Sequence, residues 1–242
     1  MHVLALDSST RAGSVAIADA DGLMVERTGD PSRPHAERLP GELLDVLRDQ
    51  GLALDAVDAF AVAIGPGSFT GLRIGIATIQ GLALAVGRPV VPVSTLEAIA
   101  ETVADRRPGQ IIAAWMDAYR RDVFSAVFRV PWDRPLSDTL SLVEAPSVEA
   151  PDRVLARWSG SGWSPDVIVG DGAVLYAALI GRAATVAVAP PLAATIARVA
   201  HARAVSGRGV HPAAVQPVYV RRPDAELARE QRDGRADAPV KG

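Results

Sequence analysis

Two aspartates stand where strands should end, and they are the residues best placed for chemistry. Asp7 closes the apolar run from Val3 and is followed by Ser9 and Thr10 in the turn SSTRAG. Asp117 closes the run from Gln110 and is followed by the turn AYRRD. Ligands collect where strands terminate, so Asp7, Ser9, Thr10 and Asp117 form a candidate ligand site, which the fold resemblance drawn below would make one for weak nucleotide binding. The competing reading is structural, with Asp7 capping its own turn and Asp117 and Asp171 (in GDGA) doing the same. SSTRAG has one glycine, whereas phosphate loops use several to bring backbone N–H groups close to oxygen.

Other chemistries lack their residues. There is no cysteine, which excludes disulfides, thiolate metal sites and cysteine nucleophiles. The histidines are His2, His35, His201 and His211; none has a partner at i+4, so no paired metal ligands are offered. Neither a G-x-S-x-G elbow nor a Walker loop occurs. No metal is expected, and no tightly bound cofactor. A formal charge of -3 argues against a chain that grips RNA by itself, because neutralising phosphates drives such binding. The arginine pairs Arg106–Arg107, Arg120–Arg121 and Arg221–Arg222 read as solvated surface charge.

The elements around these residues suggest two lobes. Val3 to Asp7, Ser14 to Asp19 and Leu23 to Thr28 read as an antiparallel meander, with a DADG turn before the third strand. A helix follows with Leu39, Leu43, Val46 and Leu47 at helical spacing, and Pro40 near its start or at a kink. Ala59 to Ile64 is a short buried strand broken by GPG. Ser68 then caps a helix of about five turns. Phe69, Leu72, Ile76, Ile79, Ala83 and Val86 make one apolar stripe on it. Gly71, Gly75, Thr78 and Gly81 make a neighbouring strip of small residues, which implies a close neighbour: another chain's helix, or packing within this chain. The most apolar stretch, Ile74 to Val86, is too short to span a bilayer. Val90 to Val93 is a strand, and STLE is a capping box opening a helix to about Arg106.

The second lobe opens as the first did: strand, terminal Asp, polar turn, returning strand (Val123 to Val130). LALDSSTRAGSVAIAD and AAWMDAYRRDVFSAVF align as a weak internal repeat. A proline-rich excursion from Pro131 to Pro151, a helix near Asp152 to Trp158, a strand at Asp166 to Gly170, a helix at Leu192 to Val205 and PVYVR follow. The expected division is 1–107 for the first lobe with its partner-binding helices and 108–222 for the second. The helix at about 192–205 is a candidate to pack back on the first lobe. Residues 223–242, charged and poor in large apolar residues, are expected to be a disordered tail.

Two lobes that each open with a hairpin behind an acidic residue resemble the α/β actin and sugar-kinase fold, each lobe a mixed sheet flanked by helices. In that superfamily the hairpins cradle phosphates and the strand-end Asp holds magnesium. GPGSFTGLRIGIATIQGLA further resembles the signature of the TsaB (YeaZ) family, supported by LALDSST, RPHAERLPGELLDVL, VSTLEAIA, MDAYRRDVF and PVYVR in family order. The resemblance implies a non-catalytic dimerisation subunit that binds and activates a TsaD-type catalytic paralogue for threonylcarbamoyl transfer to the adenosine next to the tRNA anticodon. It implies a TsaE-type ATPase in the larger complex, a homodimer when alone and indirect contact with tRNA. The missing cysteine, the absence of a signal-peptide pattern in MHVLALD and the lack of a spanning apolar stretch lead to the expectation of a cytoplasmic location with no membrane. On this reading the interface comprises Phe69, Gly71, Leu72, Gly75, Ile76 and Ile79, with Leu43 and Leu47 of the preceding helix. The catalytic paralogue carries two metal-binding histidines four apart, where this chain offers His35 alone. The alternative is an independent ATPase or small-molecule kinase using Asp7 and Asp117 with magnesium and weakly bound ATP or ADP. A glycopeptidase, an older label in the family, would lack both metal and nucleophile.

Overall fold

Alternation along the first strands decides how the chain layers. A computed structural model describes residues 1–104, 107–132, 140–162 and 164–221. The first sheet holds β1 (Val3–Asp7), β2 (Ser14–Asp19), β3 (Gly22–Thr28), β4 (Ala59–Ala63) and β5 (Val90–Val93) in the order β3-β2-β1-β4-β5. The meander is antiparallel, whereas β4 and β5 join parallel to β1. β1 and β4 are buried on both faces, which is why they read as unbroken apolar runs. Side chains alternate across a strand. Leu4 and Leu6 face the core shared with α1 (His35–Asp49) and α2 (Phe69–Ala85). Val3 and Ala5 face the opposite core, which contains α7 (Ala193–Val205).

The second sheet repeats the plan. Its strands are β6 (Ile111–Asp117), β7 (Val123–Arg129), β8 (Ser141–Glu149), β9 (Val167–Val169) and β10 (Thr185–Ala187), ordered β8-β7-β6-β9-β10. Replacing each strand by its counterpart reproduces the first sheet, parallel and antiparallel pairings included. The molecule is thus a two-lobed α/β protein of the actin and sugar-kinase type. Short α4 (Pro151–Ser161), α5 (Asp171–Leu175) and α6 (Ala177–Ile180) lie on its outer face, where Trp115 and Trp158 pack with ring centroids 5.6 Å apart.

Between the sheets lie two exchanged helices. α3 (Thr95–Glu101) follows the first sheet in sequence but packs on β6 and β7, while α7 from the second half packs on the first sheet. Arg203 pairs with Glu97 at 2.5 Å and Arg198 with Glu101 at 3.2 Å, tying α7 to α3. The start of α7 has no cap of its own. Ser14 Oγ accepts the Ala193 N–H and Glu26 accepts the Ala194 N–H, so the first sheet supplies the acceptors that a helix N-terminus needs.

Several expectations need correction. The helix opened by STLE ends at Glu101 rather than near Arg106, which lies outside the described residues. The proline-rich excursion contains β8, a nine-residue strand hidden by Pro146 and its polar residues. β8 is the sheet's edge, where a missing N–H is tolerated. β10, α5 and α6 were not anticipated, being only three to five residues long. Arg222 and the tail 223–242 also lie outside the described residues.

Candidate functional site

The two hairpins face each other across a cleft of about 770 Å³. Its walls come from the first turn (Ser9 to Arg11), the starts of α1 and α2, the second turn with Asp117 and Tyr119, Asp171, and the segment Val218 to Arg221. Lining by both turns is the consequence of the repeated sheet.

The first turn is covered. Asp7 is only 2% exposed and accepts the Ser9 N–H at 2.9 Å, closing its own turn. Burial pushes the Asp7 carboxyl above its ordinary range, against the lowering effect of the Ser9 N–H hydrogen bond and nearby His35. The loop before α2 lies directly on the turn: Ser68 N–H donates to Ser9 carbonyl oxygen at 2.8 Å, and a Cβ on Gly67 would stand 2.6 Å from Ser9 Cβ. Side-chain oxygens of Ser8 and Ser9 are buried without hydrogen-bond partners. Beneath, Arg38 of α1 donates to the carbonyls of Arg11 and Ala12 and pairs with Glu42 at 2.7 Å, its side chain 1% exposed. His35, nine-tenths buried, sits against the turn, and burial followed by the Arg38 charge lowers its pKa.

A magnesium nucleotide would need open, charged oxygen ligands at this turn. Magnesium takes nearly octahedral oxygen ligands and keeps several waters. Asp7 is sealed from the cleft and biased towards its neutral form, and the chain's own GPGS loop fills the space over Ser9. Among the described residues no group of three His, Cys, Asp or Glu could hold a metal. Asp7 and Ser9 therefore do not fit the magnesium-phosphate role.

The second turn is open. Asp117 accepts the Tyr119 N–H at 2.9 Å, matching Asp7 and Ser9. Its own N–H donates to Asp171 at 3.0 Å, which sets the two acids side by side in the cleft wall. Tyr119, Arg120 and Arg121 all have positive φ, a left-handed stretch unfavourable for non-glycine residues. Tyr119 is 75% exposed.

The interface residues read from sequence fall differently. Leu43, Leu47, Leu72, Ile76 and Ile79 are buried in the chain's own core, so they present nothing to a partner. Gly71 and Gly75 meet the first turn: a Cβ on either would collide with Ser8. The close neighbour that the glycine strip demanded is this chain's own hairpin. Phe69 alone of that set is exposed, at 37%. The outward faces carry other residues. On α2 these are Thr70, Arg73, Ala77, Gly81 and Leu84, flanked by Ile74 and Thr78. On α1 they are Ala36, Pro40, Gly41 and Leu44, with the charged Glu37, Arg48 and Asp49 also exposed. The Leu39-to-Leu47 stripe drew attention to the wrong side; spacings 36, 40, 44 and 70, 73, 77, 81, 84 held the outward signal. Arg38, Asp171 and the contacts of Tyr219 and Arg221 gave no local pattern.

The chain was compared with known proteins. The family model described as "TsaD: tRNA N6-adenosine threonylcarbamoyltransferase" matches residues 29–156. The tRNA threonylcarbamoyladenosine biosynthesis protein TsaB of Escherichia coli is 36% identical over 129 residues, 53% of this chain and 55% of that protein. The Haemophilus influenzae protein of the same name is 38% identical, with 53% and 55% covered. The chain thus spans about half the length of these curated relatives. An uncharacterized Mycobacterium tuberculosis protein is 34% identical over 93% of both chains. The structure of YeaZ from Pseudomonas aeruginosa superposes with a TM-score of 0.74 at 32% identity, covering 90% of this chain and 99% of that one. With that likeness, at 32% identity along nearly the full length of a solved YeaZ, the chain belongs to the TsaB/YeaZ family.

Proposed function

We propose that this chain is a non-catalytic subunit of tRNA threonylcarbamoyladenosine biosynthesis, which binds and orients a TsaD-type catalytic paralogue. The observation that carries the reading is the outward face of α1 and α2. The two helices pack side by side, and their exposed residues are mostly small or apolar: Ala36, Pro40 and Leu44 on one, Ala77, Gly81 and Leu84 on the other. Small residues let a second pair of helices approach closely, and an apolar strip exposed to water is stabilised by being covered. The buried chemistry of the first turn supports a subunit that leaves threonylcarbamoyl transfer to its partner. The same face is suited to a homodimer when the partner is absent. A TsaE-type ATPase, indirect contact with tRNA and a cytoplasmic location belong to this reading. Among the described residues no helix is long and apolar enough to cross a membrane.

The deciding experiment is threonylcarbamoyl incorporation into tRNA by purified TsaD-type and TsaE-type partners, with and without this chain. The expected result is a signal that requires the chain, weakened about tenfold or more by Ala77→Arg or Leu44→Glu while the fold is kept. Full incorporation without the chain would sink the reading. Magnesium-dependent ATP turnover by the chain alone, lost in Asp7→Asn, would establish the kinase alternative instead.

A further inference from the structure

We propose that residues 215–221 form a strap that holds the interlobe cleft closed, anchored on α2 and latched to the second lobe by Arg221. The segment has no regular secondary structure, yet it is bound at both ends. On the first lobe, Gln80 of α2 donates to the carbonyls of Pro212 and Val215 at 2.8 and 3.1 Å. Val215 is buried in the core beneath. The Val218 N–H donates to Ile64 carbonyl oxygen at 2.7 Å. Tyr219 stacks on Phe69 with centroids 4.9 Å apart, and its hydroxyl accepts the Arg73 Nε–H at 2.8 Å. The Arg73 guanidinium lies 4.1 Å above the Phe69 ring, completing a three-residue clasp at the start of α2.

On the second lobe the hold passes to one side chain. Arg221 donates to Ala118 carbonyl oxygen at 2.6 Å and pairs with Asp122, gripping both sides of the left-handed turn that carries Tyr119. Its guanidinium also lies 5.9 Å from the Phe124 ring. From Val218 to Arg221 the chain spans at most about 10 Å when extended, so it has little slack to absorb lobe movement. Val218 to Arg221 themselves wall the cleft, and releasing Arg221 would widen its mouth. The asymmetry locates the weak point: many contacts hold the strap to α2, and Arg221, with its side chain 21% exposed, holds it to the turn. Since α2 also carries the proposed partner face, docking there and opening of the cleft are coupled; this last clause rests on the function proposed above.

The test uses the isolated full chain. With no native cysteine, spin labels can be placed on cysteines introduced at Glu37 and Ala178, both exposed and on opposite lobes. In Arg221→Ala the label-to-label distribution should lengthen and broaden by several ångströms relative to the parent. Amide exchange in the 118–122 turn and at Val218 should rise about tenfold, the scale of one lost charge-assisted hydrogen bond. Arg153→Ala, on the exposed side of α4, should match the parent. If Arg221→Ala does not fold, Asp122→Asn carries the same prediction. Distances and exchange unchanged in both variants would overturn the strap. Affinity for the catalytic paralogue is then compared between the parent and Arg221→Ala. A strap that opens with affinity unaltered would overturn the coupling, whereas failure of the parent itself to bind would instead count against the proposed function.

Discussion

The turns after Asp7 and Asp117 start from the same local design and end in opposite situations. Each Asp pairs across its hairpin with the residue that starts the returning strand, Ser14 or Val123. Each carboxylate accepts the N–H two residues on at 2.9 Å. Around the first turn the chain then closes α1, α2 and the GPGS loop, leaving Asp7 sealed. Around the second it leaves a cleft, into which Asp117, Asp171 and Tyr119 face. The difference teaches that a strand-end Asp sets the turn, while the neighbouring elements decide whether that Asp is available for chemistry.

The comparison breaks most sharply if the cover over the first turn is forced off. Gly75→Leu, whose side chain has no room against Ser8 and Leu6, should destabilise the protein by about 3 kcal/mol in urea unfolding. A loss under about 0.5 kcal/mol would mean that α2 does not press on the turn as described. Next in size is the contrast between the two acids. Asp7→Ala leaves the buried Ser9 N–H without its acceptor and should lose about 2 kcal/mol. Asp117→Ala, where water can replace the carboxylate, should lose less than about 1 kcal/mol. Asp7→Asn keeps an acceptor without a buried charge and should stay within about 0.5 kcal/mol of the parent at pH 7. Equal losses for the two alanine variants would erase the distinction between a sealed turn and an open one.

Acid titration probes the closed first turn through two groups whose effects have opposite signs. The folded-state pKa of His35 lies below its ordinary value of 6.5, chiefly through burial, so the folded protein binds fewer protons there than the unfolded chain. Its contribution to stability is complete above the unfolded value and is lost as pH falls from about 6.5 through the depressed folded value. Asp7 is raised from 3.8, so between that value and its folded one the folded state holds the extra proton. Its contribution grows as pH falls through that window. Each group can impose a slope of at most about 1.4 kcal/mol per pH unit. Unfolding midpoints of His35→Gln should show a flatter acid limb below pH 6.5 than the parent; parallel limbs would remove His35 from the account. The smallest effect belongs to the outward side of α2. Gly81 has nothing near its absent side chain, so Gly81→Ala should raise stability by about 0.5–1 kcal/mol through helix propensity. Destabilisation would show that this face is already covered in the isolated chain.

Much of the fold was legible because strand and helix patterns are local. The meander, the buried β4, the Ser68 cap and the Ser94 cap all rest on residues within a few positions of one another. The pairing of the two hairpin-plus-Asp motifs was legible too, and the matching strand orders give it a structural meaning. β8 escaped because an edge strand tolerates Pro146, and β10 because three residues carry no usable period. The candidate site was read less well. Leu72, Ile76 and Ile79 do form a buried apolar stripe, but periodicity reports that a stripe is buried without saying by whom.

By itself the sequence determined the strands and their turns, the helix starts, the poverty of metal and nucleophile chemistry, and the likeness to one family. Each depends on residue type and short-range spacing. Only the tertiary structure decided that Gly71 and Gly75 admit the chain's own hairpin, that α3 and α7 exchange sheets, and that Asp7 is closed while Asp117 faces the cleft. Those outcomes depend on contacts between distant segments. Arg221 on Asp122 and Ser68 on Ser9 are pairings that no local period encodes.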